Sequence, residues 1–156
     1  MENLENMEEI EALQTELGQF LVSMMPVPWT KICFYAEAEP GRISTWFALI
    51  EKETDMICTR DFFWKRYHQY PVQKREVSMQ LSALTKALFE AYMKRFGEDS
   101  VWRTIYYTLE SDYSVHIDFE YEYPKGDLFE QHDYTYKRFF PDADYSYIEA
   151  KYPATE

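Results

Sequence analysis

The run of residues 115–123, VHIDFEYEY, constrains the fold of this chain most strongly, because apolar and polar side chains alternate in it without a fault. Successive side chains of a β-strand point to opposite faces, so this period of two predicts a strand. The apolar face would carry Val115, Ile117, Phe119, Tyr121 and Tyr123, and the other face His116, Asp118, Glu120 and Glu122. The run therefore predicts a half-buried strand whose solvent face is almost wholly carboxylate.

The rest of the chain contains two helical patterns and several strand patterns. Apolar residues three or four apart from Leu4 to Met24 predict an amphipathic helix that ends before Pro26. The same spacing predicts a second helix from about Lys74 to Phe96, with Gly97 after its end. Strand-forming residues predict further strands at 29–39, 42–52, 56–59 and 102–111.

These elements do not alternate as helix and strand, which excludes a regular parallel α/β fold. We expect an α+β fold, in which an antiparallel sheet of about five strands packs against the N-terminal and central helices. Residues 60–71, RDFFWKRYHQYP, are predicted to be irregular, and the tail to form one short helix before Pro141 and another after it. A chain of 156 residues with these patterns is expected to be one domain over residues 1–156.

The charge of the chain excludes several classes of partner. A net charge of -12 disfavours binding to nucleic acid or an anionic membrane, because those surfaces are themselves negative, and it favours a basic protein partner. Residues 97–156 hold 14 acidic and 5 basic side chains, so most of the excess lies there. With acidic first residues in place of a signal peptide and no long apolar run, a cytoplasmic protein is expected. The sequence does not indicate an oligomeric state.

Catalytic signatures are not recognisable in the sequence. The four glycines are too scattered for a phosphate-binding loop, no serine lies in a G-x-S-x-G turn, and Cys33 and Cys58 lie in apolar runs typical of buried thiols. We therefore predict no catalytic residue, no cofactor and no metal, and expect a binding protein. The alternative of a metal-assisted hydrolase would use His116, Asp118 and Glu120, which share one strand face.

The acidic strand is the predicted binding surface. Its carboxylates and the neighbouring turn predict that a basic protein partner binds at Asp112, Tyr113, His116, Asp118, Glu120, Glu122 and Asp127, with Tyr106, Tyr107 and Tyr134 as further aromatic neighbours. An adaptor or chaperone-like module is the alternative. Its contacts would come from the basic and aromatic stretch 62–67, chiefly Phe63, Trp64 and Tyr67.

The order of these segments resembles that of the YezG-like immunity proteins, which include the EsaG-like nuclease inhibitors. The resemblance is carried by MMPVPWTKICFYAEAE at 24–39, VWRTIYYTLESDYSVHIDFEYEY at 101–123 and QHDYTYKRFFPDADY at 131–145, and it covers about Leu13 to Tyr152. It implies a cytoplasmic antitoxin of the LXG and related type VII secretion class. Such a protein binds the C-terminal toxin domain, often a nuclease, of a cognate effector and neutralises it in the producing cell.

Overall fold

The computed structural model describes residues 2–122, 134–135 and 137–141, with side chains from Met7 onward. In chain order the elements are α1 (Glu2–Ser23), β1 (Trp29–Glu39), β2 (Arg42–Glu51), β3 (Ile57–Thr59), α2 (Arg60–Arg66), α3 (Lys74–Phe96), a 3-10 turn (Glu98–Ser100), β4 (Thr104–Glu110) and β5 (Val115–Glu120). The predicted α+β class and the five strands are confirmed. None of the helices in this part of the chain is long and apolar enough to cross a membrane.

The five strands form one antiparallel sheet in the order β3-β2-β1-β4-β5. The predicted break at Pro40 and Gly41 is a two-residue turn that places Glu39 opposite Arg42, and Gly41 takes the positive φ of 81° that such a turn favours. Within the described ranges β5 pairs only with β4, so the acidic strand lies at an edge of the sheet.

One face of the sheet forms the main core with the helices. Alternate residues of the strands, such as Phe34, Phe47 and Ile105, are completely buried against α1 and α3. The helices contribute the residues that their apolar spacing predicted, including Ile10, Leu17, Leu21, Leu81 and Leu88. The core therefore lies between a sheet and two helices, which is how such a sheet buries its apolar face.

The other face of the sheet is partly covered by residues 134–135 and 137–141. Phe139 and Phe140 are buried and pack in a second, smaller cluster with Cys33 and Ala48. Residues 134–135 and 137–139 are helical, so the predicted short helix before Pro141 is confirmed, while the one expected after Pro141 lies outside the described residues. Both cysteines are free and buried, as predicted, and burial raises the pKa of each thiol to about 12.

The prediction for residues 60–71 is wrong, because Arg60–Arg66 is a helix. The signals for it were present in the sequence: Thr59 precedes it, Asp61 lies in its first turn, and Lys65 and Arg66 lie in its last turn. The buried Phe63 ties this helix to the sheet, since its ring packs edge-on against Phe47 at 5.3 Å. Seven residues are too short for a helical period to be read, so tertiary packing decided the structure.

Candidate functional site

The alternation predicted for β5 is confirmed. Ile117 and Phe119 pack against the helix-covered core, whereas His116, Asp118 and Glu120 lie on the opposite face beside β4. The strand ends at Glu120, earlier than expected; Tyr121 and Glu122 follow it as exposed residues, and Tyr123 lies outside the described residues.

Among the described residues, the Asp118 carboxylate contacts His116 and Arg138. Its Oδ2 lies 3.0 Å from Nε2 of His116 and 3.3 Å from Nη2 of Arg138. The Arg138 guanidinium also lies over the Tyr106 ring, with 4.2 Å from Cζ to the ring centroid. Arg138 thus brings a cation from the tail onto the acidic face.

Glu120 is held by two tyrosine hydroxyls. Tyr106 donates a hydrogen bond of 2.6 Å to Oε1, and Tyr134 donates one of 3.3 Å to Oε2. Burial of Tyr106, followed by its hydrogen bond to this carboxylate, raises the pKa of the Tyr106 hydroxyl well above its usual value. Asp118 and Glu120 are therefore half-buried and internally bonded, which corrects the expectation of a fully solvated carboxylate face.

The tail segment that supplies these partners is anchored beside them. Lys31 of β1 donates a hydrogen bond of 2.9 Å from Nζ to the Phe139 carbonyl, and its ammonium group lies 5.6 Å from the Phe140 ring centroid. The Phe139 ring contacts Tyr106 at 5.7 Å and stacks on Trp46 at 6.2 Å. Sequence reasoning missed Arg138 and Lys31, because their contacts join separate elements of the chain and carry no local signal.

The turn between β4 and β5 is an exposed part of the predicted site. Asp112 Oδ1 accepts hydrogen bonds from the backbone N–H of Ser114 at 2.9 Å and from its hydroxyl at 2.6 Å, which lowers the pKa of Asp112. Tyr113 adopts a positive φ of 66° and is 66% exposed. Its ring meets Trp29 edge-on at 6.0 Å.

The predicted toxin-binding residues thus fall into three places. His116, Asp118 and Glu120 lie together with Tyr106 and Tyr134, while Asp112 and Tyr113 lie in the turn. Glu122 is exposed just after β5, and Asp127 lies outside the described residues. Tyr107 is not near the acidic face, because it alternates with Tyr106 and its hydroxyl reaches the Gln14 carbonyl of α1 at 3.1 Å.

The residues predicted for the adaptor alternative have structural roles. Phe63 is completely buried, and Trp64 donates a hydrogen bond of 2.9 Å to the Val72 carbonyl. The Tyr67 hydroxyl donates to the carboxylate of Glu51. Glu51 also accepts two hydrogen bonds of 2.6 Å from Arg66, so this cluster fastens α2 to the end of β2.

The pKa of the Glu51 carboxyl group in this cluster is strongly lowered. Burial alone would raise its pKa, but hydrogen bonds from Arg66, Thr54 and Tyr67 and the charge of Arg66 outweigh burial and lower the pKa to about 2. A buried carboxylate with this set of donors is fully satisfied and ionised. It is therefore suited to holding the fold together rather than to transferring protons.

The metal-site alternative requires His116, Asp118 and Glu120 to face a common cation, and the structure arranges them differently. Asp118 faces the positive Arg138, and Glu120 turns toward two tyrosines instead of sharing a ligand position with Asp118. Across residues 2–122, 134–135 and 137–141, no group of three His, Cys, Asp or Glu side chains is close enough to hold a metal ion.

With an acidic edge strand and an aromatic, internally bonded face, the described chain has the features of a protein-binding domain. Residues 10–147 match the sequence model of the family described as "Immunity protein YezG-like", and the chain belongs to this family. The resemblance inferred from the segment order is confirmed. Family membership supports an immunity or antitoxin role and implies a cognate toxin as the partner. None of the curated proteins matches the chain significantly.

Proposed function

We propose that this protein binds the C-terminal nuclease domain of a cognate effector of the type VII secretion class in the cytoplasm and covers its basic surface. The contact surface is the β4–β5 hairpin with its following residues, namely Asp112, Tyr113, His116, Asp118, Glu120, Glu122 and Asp127. A nuclease must present basic groups to the phosphates of its substrate, so an acidic protein surface of matching shape competes with that substrate.

One observation supports this proposal most directly. Residues 104–122 contain five carboxylate side chains and no lysine or arginine. They form a hairpin at the edge of the sheet, in which Asp112 in the turn and Glu122 after the second strand are exposed. Basic groups approaching this hairpin meet an excess of negative charge, and complementary charge accelerates association by about 10- to 1,000-fold in charged complexes.

The contact between Arg138 and Asp118 illustrates how a basic partner can be recognised. A guanidinium lies over the Tyr106 ring and bonds a neighbouring carboxylate, while the Asp118 side chain remains 45% exposed. Arginine and aromatic residues are enriched at the energetic centres of protein interfaces for this reason. The same face therefore has the chemistry to accept a second arginine from the toxin.

The two alternatives receive less support. The hypothesis of an adaptor requires accessible aromatic residues at 62–67, whereas Phe63 is buried and the Tyr67 hydroxyl is hydrogen-bonded to Glu51. The hypothesis of a metal-assisted hydrolase requires His116, Asp118 and Glu120 to face a common metal ion, whereas the Arg138 guanidinium lies beside Asp118. We therefore propose a non-catalytic inhibitor.

The test uses the purified nuclease domain of the cognate effector. The variant Asp112→Asn/Glu122→Lys keeps an acceptor oxygen for Ser114 and changes the charge of the hairpin. Asp99→Asn/Glu98→Lys, at exposed positions before β4, is the matched control with the same charge change. We expect the association rate to fall about tenfold or more for the hairpin variant, and less than threefold for the control. Equal rates for both variants would show that the toxin docks elsewhere.

A further inference from the structure

A second surface feature lies on the side of the hairpin that faces the helices. The second half of α1 and the β4–β5 hairpin enclose an open groove of about 450 Å³. Its lining is mainly apolar and includes Val22, Leu109, Tyr113 and Val115, with Thr15 and Gln19 at the helix rim. His116, Asp118 and Glu120 lie on the opposite side of the sheet, so the groove shares the turn residue Tyr113 with the contact surface proposed above, and its other lining residues are separate from that surface.

Gly18 keeps the floor of the groove open. A Cβ atom at this position would lie 2.5 Å from the Tyr107 hydroxyl oxygen, which donates a hydrogen bond to the Gln14 carbonyl one turn earlier. Helix α1 therefore approaches β4 more closely here than any residue with a side chain allows. The walls stay exposed, since Tyr113 is 66% and Val115 48% exposed. Exposed apolar side chains gathered around a concavity are a feature of binding sites.

The charges carried by α1 and by the β4–β5 hairpin, the two elements that line the groove, have a single sign. Helix α1 contains six glutamates and no lysine or arginine, and the hairpin adds Asp112 next to Tyr113. Residues three or four apart share one helix face, so the exposed Glu8 and Glu11 continue the line of Thr15, Gly18 and Val22 beyond one end of the groove. An apolar groove with acidic residues beyond its end and beside its wall is complementary to an apolar side chain with basic neighbours.

We propose that this groove receives one large apolar side chain of the cognate toxin domain, flanked by lysine or arginine residues that pair with Glu8, Glu11 and Asp112. The inference rests on the proposed antitoxin function and adds a second docking site with its chemistry. A groove of this volume holds an aromatic or a long aliphatic side chain, and such buried anchors determine how slowly a complex dissociates. The acidic face governs the encounter, and the groove governs the lifetime of the complex.

The experiment measures association and dissociation rates with the same purified toxin domain. Gln19→Arg/Val115→Lys places two positive charges at exposed groove positions, and Gln80→Arg/Met79→Lys places two at exposed positions on α3, where Met79 is 62% exposed. We expect the groove variant to dissociate about 100-fold faster, which corresponds to losing one well-buried anchor, and the α3 control to stay within threefold of wild type. Thr15→Trp fills the groove without a charge change and is also expected to speed dissociation.

The outcomes separate this inference from the proposed function. If wild type binds and inhibits the toxin domain while both double variants dissociate at the wild-type rate, the groove proposal is overturned and the antitoxin function stands. If wild type itself does not bind the toxin domain, the proposed function fails first. If wild type sediments as a dimer and only the groove variant becomes a monomer, the groove binds a second copy of this chain, and the proposal is overturned. Circular dichroism of each variant verifies that it is folded.

Discussion

The guanidinium of Arg138 lies 3.3 Å from the Asp118 carboxylate and stacks over the Tyr106 ring, so the tail of the chain places its own cation on the acidic face of the edge strand. This contact joins a residue of the short C-terminal helix to the centre of β5. It reduces the repulsion between carboxylates on one strand face, which destabilises a strand when like charges are neighbours. It also competes with basic groups of a partner for the same carboxylate.

Arg138→Gln is expected to speed association with the toxin domain severalfold at low salt, because it removes a cation that is paired with Asp118. The free energy of unfolding should fall by no more than about 1 kcal/mol, since the pair is partly exposed. Stopped-flow association rates at two salt concentrations make the measurement. Arg42→Gln, which breaks the exposed Arg42–Glu39 pair of 3.5 Å, is the control with the same charge change. An equal gain for both variants would mean that only net charge matters.

Glu51→Gln is expected to destabilise the protein by about 3 kcal/mol, because it leaves the Arg66 charge without its buried partner. The Glu51 side chain is 6% exposed and accepts both Arg66 hydrogen bonds, so water cannot replace it easily. Urea unfolding measures the change. Glu90→Gln removes the exposed Lys86–Glu90 pair of 3.9 Å, and it should cost less than about 0.5 kcal/mol. Similar losses in both variants would contradict a structural role of the Glu51 cluster.

The same carboxylate predicts how stability depends on pH. The pKa of Glu51 is lowered from 4.5 to about 2 in the folded protein, so the unfolded chain takes up this proton at a higher pH than the folded chain does. Its contribution, about 3 kcal/mol, is complete above about pH 4.5 and is lost as the pH falls toward 2. Urea unfolding between pH 6 and 3 should show a steeper fall for wild type than for Glu51→Gln. Parallel curves would contradict the lowered pKa.

Gly18 and Tyr107 are expected to be coupled. Gly18→Ala alone should lower stability, because the new Cβ displaces the Tyr107 hydroxyl from its hydrogen bond to Gln14. In a Tyr107→Phe background the same change should raise stability by up to about 1 kcal/mol, the usual gain for replacing glycine in a helix. Thermal unfolding of the four members of this double-mutant cycle measures the difference. Additive effects would contradict the close approach of α1 to β4.

Much of the fold could be predicted from the sequence where periodicity was long. The alternation at 115–123 and the helical spacing in α1 and α3 each extend over several turns or residue pairs, so they identify both the element and its buried face. Helix α2 could not be read in this way, because its seven residues span about two turns and its anchor, Phe63, is recognisable only once Phe47 lies opposite it.

The candidate site was predicted less completely than the fold. Alternation correctly placed His116, Asp118 and Glu120 on one face, but it could not show that this face is covered by Tyr134, Arg138 and Phe139. Those contacts depend on where the tail returns to the sheet, which no local pattern records. The groove beside Gly18 was missed for the same reason, because it forms only where α1 crosses β4.

The central claim is that this acidic protein binds and neutralises a basic toxin domain through charge complementarity. Calorimetric titration of the purified toxin domain with the wild-type protein, at low and at high salt, measures this binding. We expect one molecule of this protein to bind per toxin domain, with an affinity that falls as the salt concentration increases. Toxin activity should be completely lost at this one-to-one ratio. Absence of binding, or binding that is tight but indifferent to salt, would contradict it.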